Sequence, residues 1–434
     1  MYPLTGFADL AHKRVGIFGY GVEGRASERR LRAVAASLVL VDDEPTTPGV
    51  LATSPLGHEQ LLTCDVVLKS PGIPRRRSDV LDLEQHGVIV TSALNLWLHE
   101  IDRSRVIAIT GTKGKSTTTA LVTFFLQCVG ESAQRLGNIG QPPYDPLVNV
   151  STGWLVLEVS SFQCTDIELA PQYVVVTSLG SDHLDWHGSL ETYQHDKLSL
   201  TRAGAEHVTL VPEQEIFHEL RDQLGGDVQF IARDGGGLAS ALGLLGAHSD
   251  SNVALALAVV ARLTSLSSDT VRERIMARAH DFIPLRGRLT LVREVTGPLG
   301  SVRFVDDGLA TSVLPTIAAL DVFKNEPVVL IAGGFDRGVD YEPLARALAQ
   351  RTCATSLVTM GGAGRRIGDV TSVLAPQLLQ RHSESMHEAV TSASSMLGSV
   401  GVVLLSPAAP SFDVYRNWEE RSDDFSRVVQ ALNR

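Results

Sequence analysis

The sequence predicts an α/β protein of three domains, each on its own mainly parallel sheet. Three observations carry this. Short runs rich in Val, Ile and Leu alternate with helix-like stretches along the chain. Several runs end in small-residue, glycine-rich segments of the kind that turn a parallel strand into a helix. The 434 residues, at about 150 per domain, leave room for two to four domains.

The runs fall into three sets. The first is Arg14–Phe18, Ser37–Val41, Asp65–Leu68 and Val88–Thr91; such continuous apolar runs suit strands buried on both faces. The second opens at Arg105–Thr110 and includes Trp154–Val159, Tyr173–Ser178 and Val208–Val211. The third is Pro327–Ala332, Ser356–Met360 and Gly401–Leu405. The polar stretch His99–Ser104 reads as a linker. Pro284–Arg288 ends a helical stretch ahead of the strand-like Leu289–Val292. The expected domains are therefore 1–99, 100–288 and 289–434.

Composition excludes several classes. Lys and Arg number 38 against 49 Asp and Glu, a net charge of −11, which makes the chain a poor non-specific partner for nucleic acid or an anionic membrane. No apolar run approaches the roughly 18 residues of a membrane helix. Met1–Arg14 lacks the pattern of a secretory signal. Four cysteines (Cys64, Cys128, Cys164 and Cys353) show no CxxC spacing, which reads as reduced thiols in a cytoplasmic protein.

The most informative segment is Val106–Thr119, VIAITGTKGKSTTT. A strand runs into Gly111, Thr112, Lys113, Gly114, Lys115, Ser116 and Thr117, and a helix follows. Glycines let the backbone wrap an anion, and the helix N-terminus points N–H groups at phosphate oxygens. Lys115 supplies a charge for the terminal phosphates and Ser116 a hydroxyl for Mg²⁺. Near the N-terminus, Gly19, Tyr20, Gly21, Val22, Glu23 and Gly24 follow the strand VGIF, with Asp42 and Asp43 about 20 residues on, as in a dinucleotide or related nucleotide site. The same pattern also serves as a plain strand–helix turn. Ser70, Pro71 and Gly72 after DVVLK either turn the chain or offer N–H groups to another phosphate.

Glu158 ends the run WLVLE. A carboxylate there is costly unless paired or metal-bound, so it reads as a Mg²⁺ ligand or as a carboxylate held by neighbouring loops. His183 and His187 in SDHLDWH are four apart, but the segment has neither HExxH nor a cysteine partner, so a hard metal beside ATP fits His183 better than zinc. Lys197, beside His195 and Asp196, reads by default as a solvated helix lysine. The loops GGFDRG, with Arg337, and SPAAPSFD, with Ser411, lie where ligands bind in open α/β sheets, beyond the carboxyl ends of strands. Arg337 is suited to a carboxylate.

Taken in order, GTKGKST, GNIGQP (Gly137–Pro142), LEVSSFQ (Leu157–Gln163), DHLDWHG with Tyr193 and Lys197 downstream, and LLSPAAPSFD (Leu404–Asp413) resemble the muramyl ligases of peptidoglycan synthesis. The resemblance spans roughly Arg14 to Phe425. It implies a three-domain ATP-dependent amide ligase of cell-wall synthesis, and so of cell shape and division, with an N-terminal Rossmann-like UDP-binding domain, a central P-loop ATPase-type domain and a C-terminal Rossmann-like domain. The chain is most similar to the members that add glutamate to UDP-N-acetylmuramoyl-L-alanine. In these, ATP phosphorylates the terminal carboxylate, and the amine attacks the acyl phosphate. An acyl phosphate survives only where water is excluded, so the third domain is expected to close over the central one.

The resemblance also implies site residues. Gly19, Gly21, Val22, Glu23, Gly24, Ser70, Pro71 and Gly72 would cradle the UDP group. Gly111, Thr112, Lys113, Gly114, Lys115, Ser116 and Thr117 would contact ATP, and Ser116, Glu158 and His183 would bind Mg²⁺. Asn138, Ser160 and Gln163 would touch the muramoyl substrate. Lys197 falls where relatives carry a carbamylated lysine, which would add an anionic Mg²⁺ ligand and overturn the default reading. Asn252 and Arg288 would contact ATP, with Arg286 competing for the latter role, and Asp307 would be an acid on the ATP side.

Thr311, Arg337, Ser411 and Trp418 would line the amino-acid pocket. Two positions depart from the D-glutamate-adding pattern: Leu309 replaces a lysine, and Arg337 replaces a second one. Together with GGFDRGVD and SPAAPSF, they point to the L-glutamate-adding subgroup, with a separate downstream epimerase; the D-glutamate-adding ligase is the alternative. Asp43 and Glu44 stand where relatives often have Thr and Arg. The expected protein is a cytoplasmic monomer using ATP and Mg²⁺, with no nucleic-acid or membrane partner. A folylpolyglutamate-type ligase leaves the N-terminal glycine motif unused, and an oxidoreductase leaves the central phosphate loop unexplained.

Overall fold

The structure, a computed structural model, describes residues 4–138, 140–204 and 206–432. Ile139 of the GNIGQP segment and Met1 to Pro3 of the N-terminal segment lie outside the described residues. Three sheets are present, as the alternation of runs predicts. The first contains β1 (Arg14–Phe18), β2 (Ser37–Asp42), β3 (Leu51–Ala52), β4 (Val66–Lys69) and β5 (Ile89–Thr91), in the order β3-β2-β1-β4-β5. The second contains β6 (Val106–Thr110), β7 (Ala133–Gly137), β8 (Trp154–Glu158), β9 (Tyr173–Val176), β10 (Val208–Pro212) and β11 (Asp227–Ile231), in the order β11-β10-β9-β6-β8-β7. Every pairing in these two sheets is parallel.

The third sheet contains β12 (Thr290–Gly297), β13 (Gly300–Asp306), β14 (Val328–Gly333), β15 (Thr355–Met360), β16 (Leu379–Ser383) and β17 (Gly401–Leu405), in the order β12-β13-β17-β14-β15-β16. Only β12 runs antiparallel to its neighbour there.

The central strands β4, β6, β14 and β17 are buried along their whole length, which explains their apolar sequences, with Lys69 and Thr110 as polar residues at strand ends. Strands β3, β7, β11 and β16 were not read from the sequence. All four lie at sheet edges, where one side faces water and polar residues such as Gln134, Arg135, Gln229 and Arg381 are tolerated. The unread β13 is internal, but Arg303 interrupts its pattern and is paired with Glu326.

By its contacts the chain forms two compact units, 1–236 with 250–278 and 237–249 with 279–434. In the first unit, one apolar core runs from Val15, Ile17 and Leu68 of the first sheet to Ala108, Leu157 and Val174 of the second. The His99–Ser104 stretch belongs to this unit and is not free chain: Arg103 donates to Ala170 O and Arg105 to Gly153 O. In the second unit, the third sheet has a core on each face. Val305, Leu330 and Leu404 face one side, and Phe304, Val329 and Val403 face the other.

Charged contacts also join the first two sheets. Lys69 Nζ lies 2.5 Å from Asp166 Oδ2, with both side chains fully buried, and Arg75 adds a second cation to Asp166. Arg76 binds Asp196 through both nitrogens, and Arg29 binds Asp145. Removing one partner of a buried pair strands the other charge. Asp166→Ala is therefore expected to destabilise the first unit by about 3–5 kcal/mol, read as a lower denaturation midpoint. An unchanged midpoint would mean that water reaches Lys69.

Candidate active site

The phosphate loop leaves β6 at its carboxyl end and opens the helix Lys115–Cys128. Gly114 has φ +87°, and a Cβ there would come within 2.5 Å of Asn252 Oδ1; only glycine fits this left-handed, crowded position. The same contact places the buried Asn252 against the phosphate loop. Thr112 anchors the loop: its N–H donates to Ser178 O, and its hydroxyl oxygen accepts from Tyr193 Oη at 2.8 Å and Gly180 N at 2.9 Å. Lys113 pairs with Asp182. Lys115 Nζ folds back to Gly111 O at 2.9 Å and Thr112 O at 3.2 Å. Ser116 is buried and Thr117 half-buried in the first helical turn.

Lys197 overturns the default reading of a solvated lysine. It is 1% exposed and donates to the same Gly111 carbonyl at 3.0 Å. It lies over the Tyr193 ring. Burial, then repulsion from Lys115, lowers its pKa to about 7. Its neighbour Asp196 is held at about 2: burial opposes ionisation, but hydrogen bonds from Arg76 and His187 outweigh it.

Glu158 ends β8, beside β6, and is 2% exposed. Its Oε1 accepts from Asn138 Nδ2 at 3.0 Å, while the buried Oε2 has no hydrogen-bond partner among the described residues. A buried carboxylate oxygen in that state suits a cation. His183 has φ +49°, and its ring packs on Phe162 with centroids 4.9 Å apart. Burial lowers its pKa, favouring the neutral, ligand-competent imidazole. His187 is not its metal partner, because both its ring nitrogens are engaged, Nδ1 by Asp196 at 2.8 Å and Nε2 by Ser161 at 3.0 Å. Among the described residues no three His, Cys, Asp or Glu side chains gather into a metal cluster.

The two glycine-bearing loops of the first sheet meet. Ser70 Oγ donates to Gly19 O at 2.6 Å, and Gly72 O accepts from Trp186 Nε1. Gly24 packs so closely that a Cβ would lie 2.2 Å from Gly19 O. Gly21 and Val22 are exposed at the loop, and Pro71 is half-buried beside it. Glu23 departs from the expected nucleotide cradle. Its side chain accepts from Tyr144 Oη and Gln163 Nε2 of the second sheet's loops. Asp43 is bound at both oxygens by Arg77. Ser160 and Gln163 form a reciprocal cap on the short helix Ser161–Cys164.

In the second unit, the predicted residues share one sheet edge. Asp307 follows β13, Arg337 follows β14 and Ser411 follows β17, at the carboxyl ends of adjacent parallel strands. Asp307 accepts from Ser406 Oγ at 2.8 Å. Burial raises its pKa to about 7, opposed in part by the nearby Arg288. Arg286 is ion-paired with Asp423. Trp418 packs at Gly287, whose carbonyl accepts from Leu309 N. Thr311 is half-buried, Ser411 buried and Arg337 exposed.

Sequence reasoning missed Arg421. It is 3% exposed and donates to Gly333 O, Ala409 O and Gly308 O, fastening all three loops. The available signal was its place on the apolar face of the helix Trp418–Gln430, with Phe425 and Val428.

Residues 109–225 match the Mur ligase middle domain. The chain is 35% identical to a UDP-N-acetylmuramoyl-L-alanine--L-glutamate ligase of Salinispora tropica, covering 98% of each. It is 32% identical to a protein of the same name from Xanthomonas axonopodis pv. citri, covering 97% of this chain and 96% of that one. The fold is similar to UDP-N-acetylmuramate-alanine ligase of Thermotoga maritima (TM-score 0.53, 18% identity, 97% and 100% coverage) and to MurF of Acinetobacter baumannii (TM-score 0.55, 16% identity, 95% and 93% coverage). At 35% identity over nearly the full length of a ligase, and with its middle segment matching the family's middle domain, the chain belongs to the Mur ligase family and is an ATP-dependent amide ligase.

Proposed function

We propose that the enzyme joins L-glutamate to UDP-N-acetylmuramoyl-L-alanine. An oxygen of the alanyl carboxylate attacks the γ-phosphorus of ATP, and ADP leaves. The glutamate amine then attacks the acyl carbon, loses a proton, and phosphate departs as the amide forms. The reading rests above all on the convergence of Lys115 and Lys197 on Gly111 O, in the loop just beyond the strand that pairs with Glu158. The full-length similarity to ligases named for L-glutamate supports the amino acid.

In this reading Lys115 and the loop N–H groups bind the ATP phosphates. Ser116, Glu158 and His183, with Lys197 if carbamylated, would hold Mg²⁺, which supplies charge neutralisation for phosphoryl transfer. Glu158 fits that role through its unpartnered buried oxygen. Arg288 or Arg286 would make the interdomain ATP contact; Arg286 is paired with Asp423, and Arg288 lies near Asp307. Ser411, Thr311 and Trp418 line the amino-acid pocket, and Arg337 replaces the missing lysine at Leu309 from a different direction. We divide the chain into domains 1–99, 100–288 and 289–434, a division supported by the three separate sheets.

The test is ATP-dependent phosphate release with UDP-N-acetylmuramoyl-L-alanine and either L- or D-glutamate. The expected result is a preference for L-glutamate of about 10²-fold or more in kcat/KM. Preference for D-glutamate would overturn the stereochemical reading. No turnover with either would overturn the nucleotide substrate.

A further inference from the structure

We propose that Glu23 is a positioning residue for the UDP-linked acceptor: it acts through Gln163, which it holds in one orientation, and does not contact the nucleotide. This rests on the reading of Gln163 as a muramoyl contact. Glu23 lies in the first turn of the helix Val22–Leu31, where the backbone favours an anionic ligand. A carboxylate facing the same space would repel a diphosphate. The side chain is instead carried across to the second sheet's loops. Tyr144 Oη donates to its Oε2 at 2.9 Å, and Gln163 Nε2 donates to its Oε1 at 2.6 Å.

Gln163 is 4% exposed, so its amide cannot turn over without losing partners. Its side-chain oxygen accepts from Ser160 N at 2.8 Å. An amide has a donor end and an acceptor end. A carboxylate opposite the nitrogen and an N–H opposite the oxygen therefore select one of the two orientations. The reversed amide would set oxygen against oxygen at Glu23 and donor against donor at Ser160. Ser160 Oγ in turn accepts from Gln163 N at 3.2 Å, leaving its own proton to donate. The Lys69–Asp166 pair joins the same two regions, since Lys69 precedes the Ser70–Gly72 loop and Asp166 N donates to Gln163 O. The strut from Glu23 to Gln163 thus spans two fixed ends.

Kinetics with UDP-N-acetylmuramoyl-L-alanine test this. Glu23→Met is expected to raise the KM for that substrate about tenfold, with kcat and the KM for ATP within about twofold of wild type and the affinity for UDP alone unchanged. Glu23→Gln keeps an acceptor for Gln163 and is expected to restore the KM to within about threefold of wild type. In a Gln163→Ala background, Glu23→Met should add no further loss. A fall in UDP affinity that parallels the KM would overturn the proposal in favour of direct contact. Losses that multiply with Gln163→Ala would overturn it as well, as would Glu23→Gln behaving like Glu23→Met. Should Glu23→Met fail to fold, Tyr144→Phe removes the other side-chain hydrogen bond to Glu23, together with the bond between the Tyr144 hydroxyl and Ser27, and should leave the KM within about threefold; a tenfold rise would overturn the proposal. Absence of wild-type turnover would overturn the parent reading and this one with it, whereas the outcomes above, with wild-type turnover intact, bear on Glu23 alone.

Discussion

Lys115→Ala is expected to lower ATP-dependent phosphate release by about 10³-fold or more while leaving the melting temperature close to wild type. The side chain is the cation carried at the helix N-terminus behind the phosphate loop, and its donors to Gly111 O and Thr112 O hold it over that loop. The loop itself is fixed by other groups, namely the Thr112 backbone on Ser178 and the Thr112 hydroxyl with Tyr193 and Gly180. Truncation therefore removes the loop's ammonium without releasing the backbone. Lys115→Arg should recover little, because a planar guanidinium does not replace a compact ammonium in so tight a loop. Retention of more than a tenth of the activity by Lys115→Ala would remove the phosphate-loop assignment.

Lys197→Met is expected to separate stability from activity. Burial and the neighbouring Lys115 hold Lys197 near 7, against an ordinary value of 10.5. Between these two values the unfolded chain binds a proton that the folded chain does not, so folding gains stability as pH rises through that window. The cost of the buried ammonium is fully present below about pH 7 and gone above about 10.5. Methionine removes that cost. The variant should melt higher than wild type, by more at about pH 6.5, below that window, than at about pH 9, inside it. Turnover should fall about 10²-fold or more, since both the donor to Gly111 and the amine available for carbamylation are lost. A variant no more stable than wild type at low pH would mean that Lys197 is hydrated when protonated. A fully active one would remove it from the chemistry.

Much of the site was legible because its chemistry is local. GTKGKST places glycines, lysine and serine where a strand meets a helix, and the structure puts them at the end of β6 as that order requires. Glu158 was legible for a related reason: a carboxylate ending an apolar strand needs a partner, and one of its oxygens still has none among the described residues. Glu23, His187 and Arg421 were not legible in the same way. Each takes its role from a segment far along the chain, Glu23 from Gln163, His187 from Ser161 and Arg421 from Gly333. Periodicity and motif spacing carry no information about such partners.

Apolar runs and glycine turns act through neighbouring residues, so the α/β class, the central strands of the three sheets and the glycine-rich loop after β6 were readable from the residues alone. Tertiary structure alone decided that Lys197 is buried and deprotonates near 7, that Glu23 serves Gln163, and that Arg421 fastens the loops of the third sheet. The physical reason is that burial and hydrogen-bond partners depend on which distant segments pack together, and a side chain's charge and orientation follow from that packing.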